Sequence, residues 1–203
     1  MRKVFLTVVL GLCTGLCAAF CQNPALARAA LQIRDHTVKY DPAYFRIGYP
    51  GGDVPADRGV CTDVVIRAYR KLGIDLQKEV HEDMETHFAA YPKSWGLTRT
   101  DANIDHRRVP NLMTFFSRQG EVLKITDDPK DYKPGNIVCW DLGGGTLHIG
   151  IITEVLPEKR EPGAKERLLI MHNIGGGQVL EDCLFRWKII GHYRYGGKRN
   201  NSR

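Results

Sequence analysis

The sequence lacks the features of several protein classes. It has no internal repeat and no long run of basic residues, because its 29 Lys and Arg and its 23 Asp and Glu are scattered along 203 positions. The net charge of +6 is therefore spread out, whereas nucleic-acid-binding proteins gather their basic residues in patches. With 43% apolar and 26% charged residues, the composition is that of an ordinary globular protein of one domain.

The sequence also lacks a complete motif for a metal or a phosphate group. The segment DANIDH resembles the start of a calcium loop, but His106 and Leu112 stand where that loop needs Gly and Glu. His81 and His87 do not have the i, i+4 spacing of a helical zinc pair. No Lys-Ser or Lys-Thr pair follows the three glycines of DLGGGT, as a P-loop requires. We therefore expect no metal and no cofactor.

The N-terminal residues have the pattern of a secretory signal. Arg2 and Lys3 precede an almost unbroken apolar stretch over residues 4–20, and residues 25–27 form an Ala-Leu-Ala cleavage motif. The apolar stretch is shorter than the roughly 20 residues of a membrane-spanning helix. We predict a cleaved signal peptide over residues 1–27 and a periplasmic or secreted protein without stable membrane insertion. An uncleaved inner-membrane anchor is the alternative.

Few cysteines remain beyond the predicted signal. Cys61, Cys139 and Cys183 are an odd number for an oxidising compartment, so at least one thiol stays free or pairs between chains. A disulfide between Cys139 and Cys183 would leave Cys61 free, and two reduced, buried thiols are the alternative.

We predict a linker over residues 28–35, one domain over residues 36–195 and a disordered basic tail over residues 196–203. In CTDVVIRAYRKLG, apolar residues recur at helical spacing from Cys61, and Gly73 ends the helix. A second helix is predicted over residues 111–119.

Short apolar runs separated by Gly, Pro and charged residues follow, and they predict strands over residues 136–140, 148–155, 168–172, 178–184 and 189–195. No helical pattern separates them, which favours a mainly antiparallel sheet packed on the Cys61 helix, in the α+β class. Residues 81–108 are polar and predict a long irregular loop of the kind that carries function.

Cys61 has the setting of a nucleophile. It stands at the predicted start of a helix, where unpaired backbone N–H groups and the helix dipole favour a thiolate. Such a site lowers the pKa of a cysteine from about 8.5 and makes it reactive. A small buried core residue is the alternative interpretation.

Two histidines of the strand-rich half are candidate partners of Cys61. His148 opens HIGIIT, where Gly150 leaves room beside the imidazole, and His172 ends LLIMH. In an antiparallel pair the two histidines lie near each other at one end of the sheet. A nucleophile, a base and a group that orients the base are what acyl transfer requires. Two structural histidines are the alternative.

The order and spacing of four segments resemble the core of the NlpC-type peptidases, a bacterial branch of the papain-like cysteine hydrolases. These segments, within residues 49–173, are GVCTDVVIRAYRKLGI, DYKPGNIVCW, LHIGIITE and LIMHN. The IDHRRVPNL insertion and the YRY ending resemble an exported bacterial family of unknown function in that superfamily. The resemblance implies a papain-like α+β fold whose catalytic helix packs on the sheet.

The resemblance also implies a role for each catalytic residue. Cys61 is the nucleophile, and its own backbone N–H contributes to the oxyanion site. His148 is the base and His172 is the polar third residue. Asn173 and Asp141 are the alternatives for the third position.

Further residues are assigned to the substrate. Family members often use a tyrosine about a dozen residues before the nucleophile to polarise the carbonyl, which implies this role for Tyr49. We predict that Asp105, His106, Arg107 and Arg108 line the cleft, because a guanidinium pairs bidentately with the free carboxylates of peptidoglycan stems. A structural ion pair between Asp105 and an arginine is the alternative.

These observations predict an exported cysteine hydrolase that cleaves an amide or peptide bond in peptidoglycan stem peptides. Its expected partner is peptidoglycan or a peptide, and nucleic acid is not expected. The alternatives are a non-catalytic module that binds the cell wall and an acyltransferase or lipid-directed member of the same superfamily.

Overall fold

A computed structural model describes residues 23–157 and 166–197. These residues form a mixed α+β fold whose main sheet is antiparallel, as the sequence predicts. Residues 1–22 of the predicted signal peptide and residues 198–203 of the predicted tail lie outside the described ranges. Inside those ranges, no helix is long and apolar enough to cross a membrane.

The four α-helices that the structure describes come before the strands of the main sheet in the sequence. They are α1 (Pro24–Gln32), α2 (Cys61–Lys71), α3 (Leu76–His87) and α4 (Val109–Gln119). The two helices predicted from the sequence are confirmed as α2 and α4.

The strands form one large sheet and one small ribbon. The ribbon pairs β1 (Lys39–Tyr40) with β2 (Arg58–Gly59) in parallel. The sheet contains β3 (Glu121–Val122), β4 (Ile137–Asp141), β5 (Leu147–Pro157), β6 (Glu166–His172), β7 (Val179–Glu181) and β8 (Lys188–Arg194). Its order is β3-β8-β4-β5-β6-β7, and every neighbouring pair is antiparallel. The five predicted strands are confirmed as β4 to β8, with small differences at their ends.

The sheet separates two hydrophobic cores, because alternate side chains of a strand point to opposite faces. Ile149 and Ile151 of β5 pack with the helices and with Cys61. Ile152 packs on the other face with Trp140 and the loop after β7. The two faces of β5 therefore contribute to different cores.

The two cores also separate the cysteines. Cys139 lies in the helix-side core and Cys183 in the opposite core. Both are free, as is Cys61. The disulfide between Cys139 and Cys183 is therefore not formed, because the sheet lies between the two sulfurs, and the alternative of reduced, buried thiols is confirmed.

The prediction of a linker over residues 28–35 is wrong for residues 28–32, because these residues belong to α1. Asn23 caps α1 by accepting a hydrogen bond from the Leu26 N–H at 3.2 Å, and its amide donates to the Tyr195 carbonyl oxygen at 3.0 Å. Leu26 and Ala30 are fully buried in the helix-side core. Cleavage after Ala27 would divide this helix and remove Leu26 from the core.

The irregular loop predicted over residues 81–108 is also wrong in its first part. Asp75 caps α3 by accepting from the backbone N–H groups of Gln77 and Lys78, and the helix continues to His87. Val80 and Met84 bury one narrow face, which the surrounding polar residues conceal in the sequence. Three short 3-10 turns follow, at Phe88–Ala90, Ser94–Gly96 and Asp105–Arg107.

We expect the packing of α1 to contribute to the stability of the domain. Leu26→Ala should lower the free energy of unfolding by about 2–5 kcal/mol, since it opens a cavity in a closed core. Arg28→Ala is the matched control, because Arg28 is exposed on the same helix. Urea unfolding of both variants checks this, and equal stabilities would show that α1 is not part of the folded unit.

Candidate active site

The start of α2 is held by a buried carboxylate. Asp63 accepts a hydrogen bond from the Val60 N–H at 2.7 Å, which caps the first turn. Both of its oxygens also accept from Arg107, at 2.9 and 3.0 Å, and both side chains are 2% exposed. A Cβ on Gly59 would lie only 3.0 Å from the Asp63 Cβ. A larger residue at position 59 would therefore crowd the Asp63 side chain.

Cys61 is the first residue of α2 and lies beside β5. The edge of β5 beside Cys61 is not covered by β6, because β6 pairs with β5 only from Ile151 onward. Past the end of β6, the Asn173 amide donates to the Gly59 carbonyl oxygen at 3.3 Å. The backbone N–H of Ile149, in β5, favours the thiolate of Cys61 and acts to lower its pKa.

The environment of the Cys61 thiol is the reverse of the predicted one. Burial raises its pKa to about 12, although hydrogen bonds from the backbone N–H groups of Ile149 and Thr62 act in the opposite direction. Cys61 as a whole residue is 4% exposed. The prediction of a lowered pKa is therefore wrong for the unliganded protein, because desolvation outweighs the helix terminus.

His148 and His172 meet as predicted. Nε2 of His148 lies 2.9 Å from Nδ1 of His172, and the His148 ring stacks on Trp140 and meets the edge of Trp187. Burial and the neighbouring His172 lower the pKa of His148 to about 3. A Cβ on Gly150 would lie 2.7 Å from Ile170 and 3.3 Å from the His172 Cβ. The absence of a side chain at Gly150 therefore allows β6 to pack closely against β5.

The described residues show no hydrogen bond between Cys61 and His148. The thiol contacts the N–H of Ile149, the residue after His148, whereas the imidazole lies on the Trp140 face of the sheet. Among the residues that the structure describes, none hydrogen-bonds to Nδ1 of His148. The predicted contact between nucleophile and base is therefore absent from this conformation, in which both groups are neutral.

A cavity of about 730 Å³ opens at Cys61. Its lining includes Cys61, Tyr40, Trp95, Arg108 and Leu147. Trp95 has a left-handed backbone with φ of 59°, a conformation that is rare for a bulky residue and typical of ligand sites. The cavity is large enough for a small peptide ligand.

Tyr40, and not Tyr49, lines the cavity at Cys61. Tyr49 is 45% exposed and packs edge-on against His81, with 5.1 Å between ring centres. Tyr40 pairs with Gly59 in the β1–β2 ribbon and lines the cavity. Burial and the nearby Cys61 raise the pKa of its phenol. The short ribbon strand gave no sequence signal for this placement.

The four residues predicted to line the cleft have different environments. Asp105 is fully buried and accepts from His81 Nδ1 at 2.9 Å and from the Asp101 N–H at 2.7 Å. His106 is also buried, and burial lowers its pKa to about 3. Neither residue lines the cavity, so their prediction as substrate contacts is wrong.

The two arginines differ as well. Arg107 touches the cavity but is committed to Asp63 and to the Ala43 carbonyl oxygen. The structural ion pair is thus present, with Asp63 in place of Asp105. Arg108 lies 4.5 Å from the centre of the Trp95 ring, and among the described residues its buried Nη1 has no hydrogen-bond partner. Arg108 is the guanidinium free to bind a ligand here.

Replacement of each arginine should therefore have a different effect. Arg107→Ala leaves the buried Asp63 carboxylate unpaired and should destabilise the protein by about 3–5 kcal/mol. Arg108→Ala should change the melting temperature little, since its partner is one aromatic ring. Thermal unfolding followed by circular dichroism measures both. Equal melting temperatures would contradict the structural role of Arg107.

The raised pKa of Cys61 predicts slow alkylation near neutral pH. Reaction with iodoacetamide should be slow at about pH 7 and rise about tenfold for each unit of pH, following the thiolate fraction. Peptide mapping identifies the labelled cysteine, and the unfolded chain in urea supplies the reference rate. Rapid labelling of Cys61 at about pH 6 would contradict this prediction.

Comparisons with known proteins find similarity over nearly the whole of the folded region. A protein of Escherichia coli (strain K12), described as "Uncharacterized protein YijF", is 51% identical over 173 residues, which cover 85% of this chain and 82% of that protein. The family model "Domain of unknown function (DUF1287)" matches residues 27–195, from within α1 to the end of the sheet. The chain therefore belongs to the DUF1287 family.

Proposed function

We propose that this protein is a papain-like cysteine hydrolase of the NlpC type, exported from the cell, that cleaves an amide bond in peptidoglycan stem peptides. One observation carries the proposal. Cys61 lines a cavity, the backbone N–H of the residue next to His148 acts on its thiol, and Nε2 of His148 is already held by His172. Nδ1 is therefore the ring nitrogen of His148 that is left to act as a base.

In this proposal the proton moves from Cys61 to His148. His148 Nε2–H donates to Nδ1 of His172, which leaves His148 Nδ1 as the base. Nδ1 accepts the thiol proton while the sulfur forms a bond to the substrate carbonyl carbon. The backbone N–H of Cys61, at the first turn of α2, donates to the oxyanion.

Two further proton transfers complete the reaction. His148 returns its proton to the leaving nitrogen as the C–N bond breaks, which leaves a thioester on Cys61. A water molecule then loses a proton to His148 and attacks the thioester, and the thiol is regenerated as the acid leaves. In the resting structure the His148 ring stacks on Trp140, on the face of the sheet away from Cys61. The proposed transfer therefore requires the side chain of His148 to leave Trp140 and turn toward the sulfur when substrate binds.

The cavity lining supports a carboxylate-bearing substrate. Arg108 lines the cavity beside Trp95, and its buried Nη1 has no hydrogen-bond partner among the described residues. A carboxylate is the natural partner of a guanidinium. Tyr40 lines the same cavity and takes the place proposed above for a tyrosine that polarises the carbonyl. Peptidoglycan stems offer both the amide bond and the free carboxylate.

Cys61→Ala should abolish release of muropeptide products, while Cys139→Ala should retain it. Cys139 is the matched control, because it is a buried cysteine of the same core that the proposed reaction does not use. Purified muropeptides, with products identified by mass spectrometry, provide the assay. Product release by folded Cys61→Ala would overturn the proposal.

The two histidine variants extend the same test. His148→Ala should lose about 10²–10⁴-fold in kcat/KM, the usual contribution of a general base. His172→Ala should lose less, because a misoriented imidazole still reacts on some encounters. Circular dichroism of each preparation reports folding. An active His148→Ala would remove this histidine from the reaction.

A binding module without turnover is the second candidate function. The observation that favours it is the raised pKa of Cys61 and its missing hydrogen bond to His148. On that proposal, muropeptides bind without being cleaved, and Arg108→Ala weakens binding while Cys61→Ala does not. Isothermal titration calorimetry with intact muropeptides distinguishes the two functions.

A further inference from the structure

A second cluster of reactive side chains lies on the face of the sheet away from the helices. It consists of His172 at the end of β6, Glu181 at the end of β7, and Cys183 just beyond. Nε2 of His172 is 3.6 Å from the Cys183 sulfur and 3.6 Å from Glu181 Oε2. His172 and Cys183 are buried, whereas the Glu181 side chain is 35% exposed. The cluster therefore reaches solvent through its carboxylate.

We propose that these three residues bind a zinc-like divalent cation. A tetrahedral ion with bonds of about 2.3 Å to sulfur and about 2.0 Å to nitrogen holds those two atoms about 3.6 Å apart, as they are here. Thiolate and imidazole ligands select zinc and its neighbours over calcium or magnesium. One thiolate and one carboxylate also balance the two positive charges of the ion, as a buried site requires.

The surroundings of His172 suit a metal ligand. A ligating imidazole usually donates its second ring N–H to a fixed acceptor, which sets its orientation. Nδ1 of His172 has such a partner in His148 Nε2 at 2.9 Å. Arg186 pairs with Glu181 Oε2 at 3.0 Å, so the ion competes with this arginine for the carboxylate. Binding releases the Cys183 proton to solvent, because the sulfur ligates as a thiolate.

A bound ion would also change His148, in a step that rests on the proposed hydrolase function. With Nε2 of His172 on the metal, its proton lies on Nδ1 and is donated to His148 Nε2. The neutral His148 then carries its own proton on Nδ1, the nitrogen needed as the base for Cys61. The metal-bound protein is therefore the inactive form of the proposed hydrolase.

Co²⁺ titration of the full, untagged, reduced chain tests the site without any assay of activity. The wild-type protein should bind one equivalent and show a thiolate-to-cobalt charge-transfer band that Zn²⁺ displaces. Cys183→Ala should lose the band, and Cys139→Ala, which removes a buried thiol of the other core, should keep it. Cysteines of the N-terminal segment are common to all variants, so the difference isolates Cys183.

Glu181→Gln provides a variant at a partly exposed position and should weaken Co²⁺ binding by about tenfold or more. A folded Cys183→Ala whose band is as intense as that of the wild type, a wild-type protein without a band, or unchanged affinity in Glu181→Gln would each overturn the metal site.

Zinc inhibition tests the link to His148 separately. Zn²⁺ that saturates the wild-type site should stop muropeptide cleavage, and Glu181→Gln should require about tenfold more zinc for the same inhibition. Cobalt binding without zinc inhibition would overturn the link and leave the site standing. If the wild-type protein cleaves no muropeptide, the hydrolase proposal fails while the cobalt spectrum still decides the metal site.

Discussion

The buried ion pair between Asp63 and Arg107 is the interaction on which the site depends. Asp63 caps the first turn of α2 and pairs with Arg107, which in turn donates to the carbonyl oxygen of Ala43. Three separate segments are therefore fixed to one carboxylate. A buried pair of this kind is costly to break because either partner alone would be an uncompensated charge. The position of Cys61 and one wall of the cavity both follow from it.

The sheet imposes a second constraint, because it separates the thiol from the imidazole. Cys61 belongs to the helix-side core, whereas His148 lies among Trp140, Trp187 and His172. Burial of each group favours its neutral form, so a thiolate–imidazolium pair does not form in advance. A neutral thiol is less easily oxidised than a thiolate, so burial also protects Cys61.

His172 links the two proposals, because its two ring nitrogens face different partners. Nδ1 faces His148 and Nε2 faces Cys183 and Glu181. An imidazole has one proton to distribute between its nitrogens when it is neutral. A ligand that takes Nε2 therefore determines what Nδ1 offers to His148, which couples the buried cluster to His148 over a single hydrogen bond.

The sequence by itself determined α2, α4 and the strands β4 to β8, since apolar periodicity is a local property. It also brought His148 and His172 together, because they open and end adjacent antiparallel strands. The sequence did not reveal α3, because only one apolar residue per turn marks its buried face. It pointed to Tyr49 as the tyrosine of the cleft, whereas Tyr40 of β1 lines the cavity. Only the tertiary structure decided the partner of Arg107, the sheet face of each cysteine and the raised pKa of Cys61. These depend on burial and on contacts between distant segments, which no local pattern encodes.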